Sequence, residues 1–356
     1  HPSSFMDPIV LAVNLKRALY FLVRGDLFKN KILRRLFDKF HMIPVYTPDL
    51  SPGQVSKNEQ VFEKCQSHLG ENKTILIFPE GTSKTERRLR PIKTGIARIA
   101  FGAEENHDFQ LGLMIVPIGL NYSNPHYFKS DVFVNIGEPI LVSGFKDIYL
   151  KDAREGVKSL TERVKTELEK RIVIIEDERL ERLIKQIEIL YRSKLRDDNK
   201  LEEKPSQDFY LSQDIVKAVE YFAQKEPKVL KEFEQKITYY LKELKDLKIR
   251  DTQVRSSSIS FEFIGKMAYF IVGFPLFLYG LITNVIPFKL AEFISKKILI
   301  RDDFVGAINM AVGMLIFLLI YSIESTVFGI CTNTMWGVLF CLSLYPAGLF
   351  TINYFK

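Results

Sequence analysis

The pattern of hydrophobic and polar positions begins with an alternation of two kinds of segment. Short apolar runs alternate with amphipathic stretches, at residues 18–24, 27–40, 55–69, 74–78, 94–101 and 113–122. The runs have the length of buried strands, and the stretches between them have the period of helices. This alternation of strands and helices predicts an α/β fold over residues 1–145, in which a mostly parallel sheet is flanked by helices.

The middle of the chain, residues 146–255, has the pattern of a charged helical region. Apolar residues recur there at three and four positions, as in Leu160, Val164 and Leu168, which is the period of one helix face. Pro227 is expected to kink or split the second half of this region. The pattern leaves two interpretations open: an arm that lies on a membrane or a partner, or a solvated hairpin packed on the α/β domain.

The last part, residues 261–356, is apolar enough to lie in a membrane. Its apolar stretches run over residues 267–288, 304–321 and 327–354. A bilayer-spanning helix needs about 20 apolar residues, and these stretches are close to that length or longer. Between Phe304 and Phe355 the only side-chain carboxylate or amine is that of Glu324. The pattern therefore predicts a membrane domain with about three transmembrane helices, and thus an integral membrane protein.

Net charge and the rarer residue types narrow the choice of partner. The chain has 50 Lys and Arg against 43 Asp and Glu, which gives a net charge of +7 and suits an anionic partner. The basic residues are interleaved with acidic ones and form no strip with aromatic residues, so we expect no nucleic acid. The five histidines have no cysteine or second histidine at ligand spacing, so we expect no metal site.

The first candidate for chemistry is the segment HPSSFMDP at the start of the sequence. A histidine with a carboxylate to orient it can activate a hydroxyl group, and His1 and Asp7 are six positions apart. Pro2 favours an extended conformation at His1, and Ser3 or Ser4 can cap a helix that carries Asp7. The chain would then turn and bring the carboxylate under the ring. Taken alone, the segment is better explained as a surface loop with a capping serine.

The second candidate is a loop that follows the apolar run 74–78. Glu80, Gly81 and Thr82 come directly after it, at the carboxyl edge of the predicted sheet, where open α/β sheets bind ligands. Cations follow within a dozen residues, at Lys84, Arg87, Arg88, Arg90 and Lys93. Cations beside a helix N-terminus suit a phosphate group, so this loop is a candidate phosphate site. A solvated basic loop is the alternative.

Together with the strand VPIGLNY, these motifs resemble the glycerophospholipid acyltransferase superfamily, whose members carry HPSSFMDP-like and FPEGT motifs in this order. The resemblance covers about residues 1–140. It implies that His1 is a general base, that Asp7 orients it, and that Glu80 and Gly81 lie in the acceptor site. The family commonly has four residues between the histidine and the aspartate, where this chain has five. The helical arm and the C-terminal stretches are similar to the bacterial and fungal glycerol-3-phosphate acyltransferase branch.

One position departs from the family pattern. Many members have an arginine that binds the acceptor phosphate where this chain has Thr47. Lys84, Arg87 and Arg88 are the candidates to replace that arginine, with Thr82 beside them.

The resemblance implies transfer of a fatty acyl group to a hydroxyl of glycerol-3-phosphate or dihydroxyacetone phosphate. The donor would be acyl-coenzyme A or acyl carrier protein, with membrane lipid as surroundings and no further cofactor. It also implies a catalytic domain on the cytoplasmic side of a bacterial inner membrane or of the endoplasmic reticulum. The alternatives are a lysophospholipid (lysophosphatidate) acyltransferase and a non-catalytic lipid-binding scaffold in the membrane.

Overall fold

The computed structural model describes residues 6–25, 28, 31–46, 52–81, 86–123, 130–200, 202, 204–249, 251, 254, 261–298 and 305–354. The chain divides into two compact units, His1–Ile237 and Thr238–Lys356. This division separates regions by their internal contacts. The boundaries predicted near residues 145 and 255 from composition remain predictions.

The described part of the first unit contains short strands in small sheets. They are β1 (Leu19–Arg24), β2 (Met42–Val45), β3 (Thr74–Leu76), β4 (Met114–Ile115), β5 (Ile118–Tyr122), β6 (Val132–Ile136) and β7 (Ile140–Leu141). A parallel sheet has the order β2-β1-β3, and β4 pairs with β7 and β5 with β6 in antiparallel ladders. The predicted α/β fold is confirmed, with its parallel part concentrated in β1, β2 and β3.

Two prolines mark where strands end or lie at an edge. Pro44 lies inside β2 and pairs with Val23 of β1, at the outer strand of the parallel sheet. An edge strand tolerates proline because one side of the strand makes no ladder bonds. The apolar run 113–122 is split at Val116 and Pro117, so that β4 ends before them and β5 begins after them. The sequence pattern predicts a single strand here, and the structure divides it into two.

Helices surround these strands and continue into the charged region. They are α1 (Met6–Asn14), α2 (Lys31–Lys39), α3 (Asn58–Gly70), α4 (Gly95–Glu105), α5 (Lys146–Lys151), α6 (Ala153–Glu169), α7 (Glu178–Asp198), α8 (Pro205–Lys225) and α9 (Pro227–Asp246). Asp152 and Asp177 cap α6 and α7 by accepting bonds from main-chain N–H groups. Pro227 splits α8 from α9, as its sequence position predicts, because proline fits the first turn of a helix.

The cores of the first unit connect its helices to its strands. Cys65 of α3 is fully buried against Ile43 of β2 and Ile99 of α4. Burial raises the pKa of the Cys65 thiol to about 11, so this side chain stays protonated at neutral pH and serves packing. A second cluster joins Leu11 of α1 to Leu19 of β1 and Leu120 of β5. It packs α1 against the parallel sheet and against the β5–β6 sheet.

The second unit contains three long apolar helices within its described residues. They are α10 (Phe261–Ile298), α11 (Val305–Cys331) and α12 (Thr334–Asn353). By length and composition each is able to cross a membrane, over Met267–Ile298, Ile308–Cys331 and Thr334–Asn353. The prediction of about three transmembrane helices is therefore confirmed in the number, length and composition of these helices. Three such helices indicate that the chain is associated with a membrane.

Polar side chains join the three helices of the second unit. Tyr321 of α11 donates a hydrogen bond to Asn284 of α10, and the Asn284 amide donates to the carbonyl of Leu344 in α12 at 3.5 Å. The hydroxyls of Tyr279 and Ser343 lie 2.5 Å apart between α10 and α12. Such interhelical bonds, with small residues at the contacts, are how helices associate in lipid.

Candidate active site

The segment HPSSFMDP and the strand VPIGLNY are joined by a hydrogen bond between Asp7 and Tyr122. Asp7 lies in the first turn of α1 and is completely buried, with a relative exposure of 0%. Tyr122, the last residue of β5, donates a hydrogen bond to Asp7 Oδ1 at 2.6 Å, although 115 positions separate them. Burial, the Asp7 charge and this bond together raise the pKa of Tyr122 well above its usual value. The phenol therefore stays protonated and acts as a donor.

Several predicted site residues lie outside the described residues. They are His1, Thr47, Thr82 and Lys84. The pairing of His1 with Asp7 and the phosphate roles of Thr82 and Lys84 therefore remain predictions.

The loop after β3 is a tight turn held by main-chain hydrogen bonds. The Gly81 N–H donates to the Phe78 carbonyl at 3.1 Å, and the Lys93 N–H donates to the Pro79 carbonyl at 2.8 Å. Gly81 has φ +68°, in the left-handed region that residues with a Cβ rarely adopt. Space is not the constraint, because a Cβ here would meet Lys93 at an ordinary contact distance of 3.5 Å. The backbone conformation thus explains the glycine.

Glu80 faces back into this loop. Its carboxylate oxygen Oε2 accepts a hydrogen bond from the Arg90 N–H at 3.2 Å. The carboxylate therefore ties the turn to the chain that returns along residues 86–93, in addition to any role toward an acceptor.

Arg87 is bound to the helical arm through a buried carboxylate. Its two guanidinium nitrogens lie 2.9 Å from the two oxygens of Glu188 in α7, which is 4% exposed. Burial alone would raise the pKa of Glu188, but the hydrogen bond and charge of Arg87 outweigh it and hold the pKa below its usual range. The Ile175 N–H also donates to the Arg87 carbonyl at 2.7 Å. A phosphate at Arg87 would have to share this guanidinium with Glu188.

The neighbouring arginines are also paired with carboxylates. Arg88 lies 3.2 Å from Glu178 at the start of α7, and Arg90 donates to Glu86 at 2.8 Å. Glu178 is largely exposed, so the Arg88 pair is more open to competition from a ligand. The predicted phosphate role of Arg87 and Arg88 stays a prediction, and the structure adds a role in anchoring the arm.

A cavity of about 710 Å³ lies between the strand ends and the arm. Ligand pockets commonly measure about 300–1,000 Å³, so its size suits a substrate. Tyr122, Glu80 and Arg87 line it from the α/β side. Ile172 and Phe209 line it from the arm. Of the two interpretations of the arm, the structure thus supports packing on the α/β domain for the part up to α8.

Within the described residues no three His, Cys, Asp or Glu side chains are grouped as a metal ion would need.

The α/β domain contains a buried aspartate, Asp7, bonded to a tyrosine, Tyr122, that lines a cavity at the strand ends. The family model described as "Acyltransferase" matches residues 1–121 of the 356. This match and the relatives below support the resemblance of the N-terminal part to the glycerophospholipid acyltransferase superfamily.

Particular relatives point the same way. Glycerol-3-phosphate O-acyltransferase 1 of Saccharomyces cerevisiae is 33% identical over 136 residues, which are 37% of this chain and 18% of the relative. Glycerol-3-phosphate O-acyltransferase 2 of the same yeast is 35% identical over 112 residues, or 31% of this chain and 15% of the relative. An uncharacterized acyltransferase of Schizosaccharomyces pombe is 28% identical over 106 residues, or 29% and 16%. No solved structure matches the chain.

These similarities are confined to a part of each protein. The chain spans less than a fifth of the length of each of the three relatives. The arm and the membrane helices lie beyond the residues that the family model matches.

Two residues of the candidate site are not among those that the sequence predicts. Tyr122 belongs to the strand motif GLNY, and nothing local reveals its partner 115 positions earlier. Glu188 lies four positions after Ile184 and two before Leu190, on the apolar face of α7. An acidic residue on a buried helix face needs a basic partner, so this spacing was the available signal.

Proposed function

We propose that this protein transfers a fatty acyl group from an acyl thioester to a hydroxyl of glycerol-3-phosphate or dihydroxyacetone phosphate. The observation that carries the proposal is the buried Asp7 carboxylate, bonded to Tyr122, which lines the cavity. The match of residues 1–121 to the acyltransferase family model supports the reaction type. The names of the two yeast relatives support glycerol-3-phosphate as the acceptor.

The reaction proceeds in one proton-coupled transfer without an acyl-enzyme. His1 takes the proton from the acceptor hydroxyl, and Asp7 stabilises the imidazolium that forms. The alkoxide oxygen attacks the thioester carbonyl carbon, and the tetrahedral intermediate collapses with cleavage of the carbon–sulfur bond. The thiolate leaves and receives the proton from His1. The products are the ester and the free thiol of coenzyme A or acyl carrier protein.

The acceptor phosphate would bind at the residues that follow Gly81. Thr82 and Lys84 are among them, and Arg88 is paired with the exposed Glu178. The reaction would take place on the cytoplasmic side of a membrane into which the second unit inserts.

Two features favour a second acceptor, a lysophospholipid. Thr47 stands where many members of the superfamily have a phosphate-binding arginine. Arg87 is already paired with a buried carboxylate. A lysophospholipid acceptor, held in part by its own acyl chain, would depend less on these cations.

Thiol release from palmitoyl-coenzyme A tests the proposal. The full chain in lipid vesicles is assayed with glycerol-3-phosphate, dihydroxyacetone phosphate and lysophosphatidate in turn. His1→Ala should reduce turnover by roughly a hundred- to ten-thousand-fold, the usual contribution of a general base. The exposed His107, replaced by alanine, is the matched control and should retain activity. Absence of thiol release with every acceptor would favour the non-catalytic scaffold.

A further inference from the structure

The Asp7–Tyr122 pair has a geometry that fixes the orientation of the carboxylate. Tyr122 donates to one particular oxygen, Oδ1, at 2.6 Å. A buried carboxylate without a directed donor could rotate about its Cβ–Cγ bond. With one oxygen bound to the phenol, the direction of the other oxygen is set as well.

The donor and the acceptor of this hydrogen bond both lie on packed elements, Tyr122 on β5 and Asp7 on α1. Tyr122 is paired with Val132 in the β5–β6 ladder and packs with the cluster of Leu11, Leu19 and Leu120. The same cluster holds α1, which carries Asp7. A donor and an acceptor on packed elements keep their geometry better than groups on loops do.

Packing alone does not explain a tyrosine at this position. A phenylalanine would fill the same apolar volume without introducing a hydroxyl into a largely buried place. Burying both a carboxylate and a phenol costs free energy unless the two are bonded to each other or to other groups. Asp7 and Tyr122 therefore form a hydrogen-bonded polar pair beside an otherwise apolar cluster.

We propose that Tyr122 is a positioning residue for the acyl transfer, acting through Asp7. The inference rests on the proposed function. Tyr122 holds the Asp7 carboxylate in one orientation for the role toward His1 that the proposed function gives it, and the hydrogen bond withdraws part of the negative charge of the carboxylate. The groups involved are the Tyr122 hydroxyl from β5, Asp7 on α1, and His1 six positions before Asp7.

The hydroxyl has a definite effect on the pH profile. A hydrogen bond to the carboxylate reduces the negative charge that stabilises the imidazolium. Removal of the hydroxyl leaves more charge on Asp7, so the protonated form of His1 is favoured and its pKa rises. The acidic limb of kcat/KM therefore moves to higher pH in Tyr122→Phe. A purely structural role would lower activity without moving this limb.

The kinetic test compares two tyrosine substitutions in the full chain. Tyr149 also donates to a carboxylate, Glu105 Oε2, at 3.2 Å, and it lies on α5 away from the cavity lining. Tyr122→Phe should lower kcat about tenfold or more, the range for a hydrogen bond to a charged group, with KM changed less than about twofold. Tyr149→Phe should leave kcat, KM and the pH profile at wild-type values.

A second measurement reads the contact without any assay of activity. A double-mutant cycle of Tyr122→Phe and Asp7→Ala, followed by thermal unfolding, should give non-additive losses because the two side chains are bonded. Additive losses would overturn the inference. Non-additive losses with an unchanged kcat and pH profile would also overturn it, since the bond would then be structural. If the wild type itself releases no thiol, the proposed function fails, and the positioning role fails with it.

Discussion

The two units of this chain are stabilised by different interactions, because they face different solvents. The first unit buries Phe101 at 0% exposure and pairs Arg87 with a carboxylate from 101 positions away. The second unit leaves large apolar residues exposed, such as Val272 at 79%, and joins its helices through Asn284 and Tyr321. Water drives apolar side chains together in the first unit. Lipid gives no such drive in the second, so close backbone contacts and hydrogen bonds take its place.

The comparison predicts where a lost side chain matters, and the largest effect is expected at Phe101. This residue fills the core between α4 and α6, so Phe101→Ala should lower the free energy of unfolding of the first unit by about 3–5 kcal/mol. Phe274 in α10 is 52% exposed and serves as the control. Lipid chains replace its contacts, so Phe274→Ala should have a much smaller effect. Thermal unfolding in vesicles measures both, and equal losses would contradict the comparison.

Glu188 tests the buried ion pair of the first unit. Glu188→Gln leaves the Arg87 charge without its carboxylate, so we expect destabilisation by about 3 kcal/mol, the lower end for a broken buried pair. Glu178→Gln, at the exposed pair with Arg88, should leave the melting temperature unchanged.

The same carboxylate gives a pH dependence with a definite sign. Because Arg87 holds the pKa of Glu188 below its usual range, its stabilising contribution is present above about pH 4.3, the ordinary pKa of a glutamate. That contribution is lost as the pH falls through the lower pKa of the folded state. Melting temperatures measured from pH 7 down to pH 3 should therefore fall more steeply in the wild type than in Glu188→Gln. Parallel curves would be evidence against the pair.

Gly280 tests the close backbone contacts of the second unit. A Cβ at this position would overlap the carbonyl of Ala347 and the Thr351 hydroxyl in α12, so the helices would have to move apart. Overpacking of this kind costs about 1–3 kcal/mol, which is our expectation for Gly280→Ala. Gly313 in α11 has nothing within 4 Å of a Cβ and is the control. The measurement is the resistance of the full chain to unfolding by a denaturing detergent. Similar unfolding curves for the two variants would contradict a close contact between Gly280 and α12.

Asn284 is expected to give the smallest effect. It accepts from Tyr321 and donates to the Leu344 carbonyl, so Asn284→Val removes bonds between helices. Interhelical hydrogen bonds in membranes average about 0.6 kcal/mol, with a maximum of about 1.7. Ser322 donates within its own helix, to the Leu318 carbonyl, and Ser322→Ala should change nothing measurable in the same detergent assay. A loss for Ser322→Ala as large as that for Asn284→Val would remove the distinction.

Local patterns were sufficient for the elements that depend on local physics. The apolar runs predicted β1 and β3, composition predicted the three membrane helices, and Pro227 predicted the split between α8 and α9. Strand β2 was missed because Pro44 argues against a strand, and only its place at the sheet edge makes it acceptable.

The missed parts of the site depend on distant pairings. Tyr122 bonds to Asp7 because α1 packs on β5. Arg87 bonds to Glu188 because α7 lies next to the segment that contains Arg87. Period and composition describe one segment at a time, so they cannot reveal such partners. The basic cluster was therefore predicted as a ligand site alone, while two of its arginines also hold the arm.

The ion pair between Arg87 and Glu188 also sets an order of events during synthesis of the chain. The loop with Arg87 leaves the ribosome 101 residues before its partner, a delay of about 5–20 s at 5–20 residues per second. Among the described residues, the candidate membrane spans begin at Met267, after Glu188. The nascent chain therefore contains both partners of this ion pair before these three helices are synthesised. Assembly of the arm on the α/β domain does not have to wait for the insertion of these helices into a bilayer.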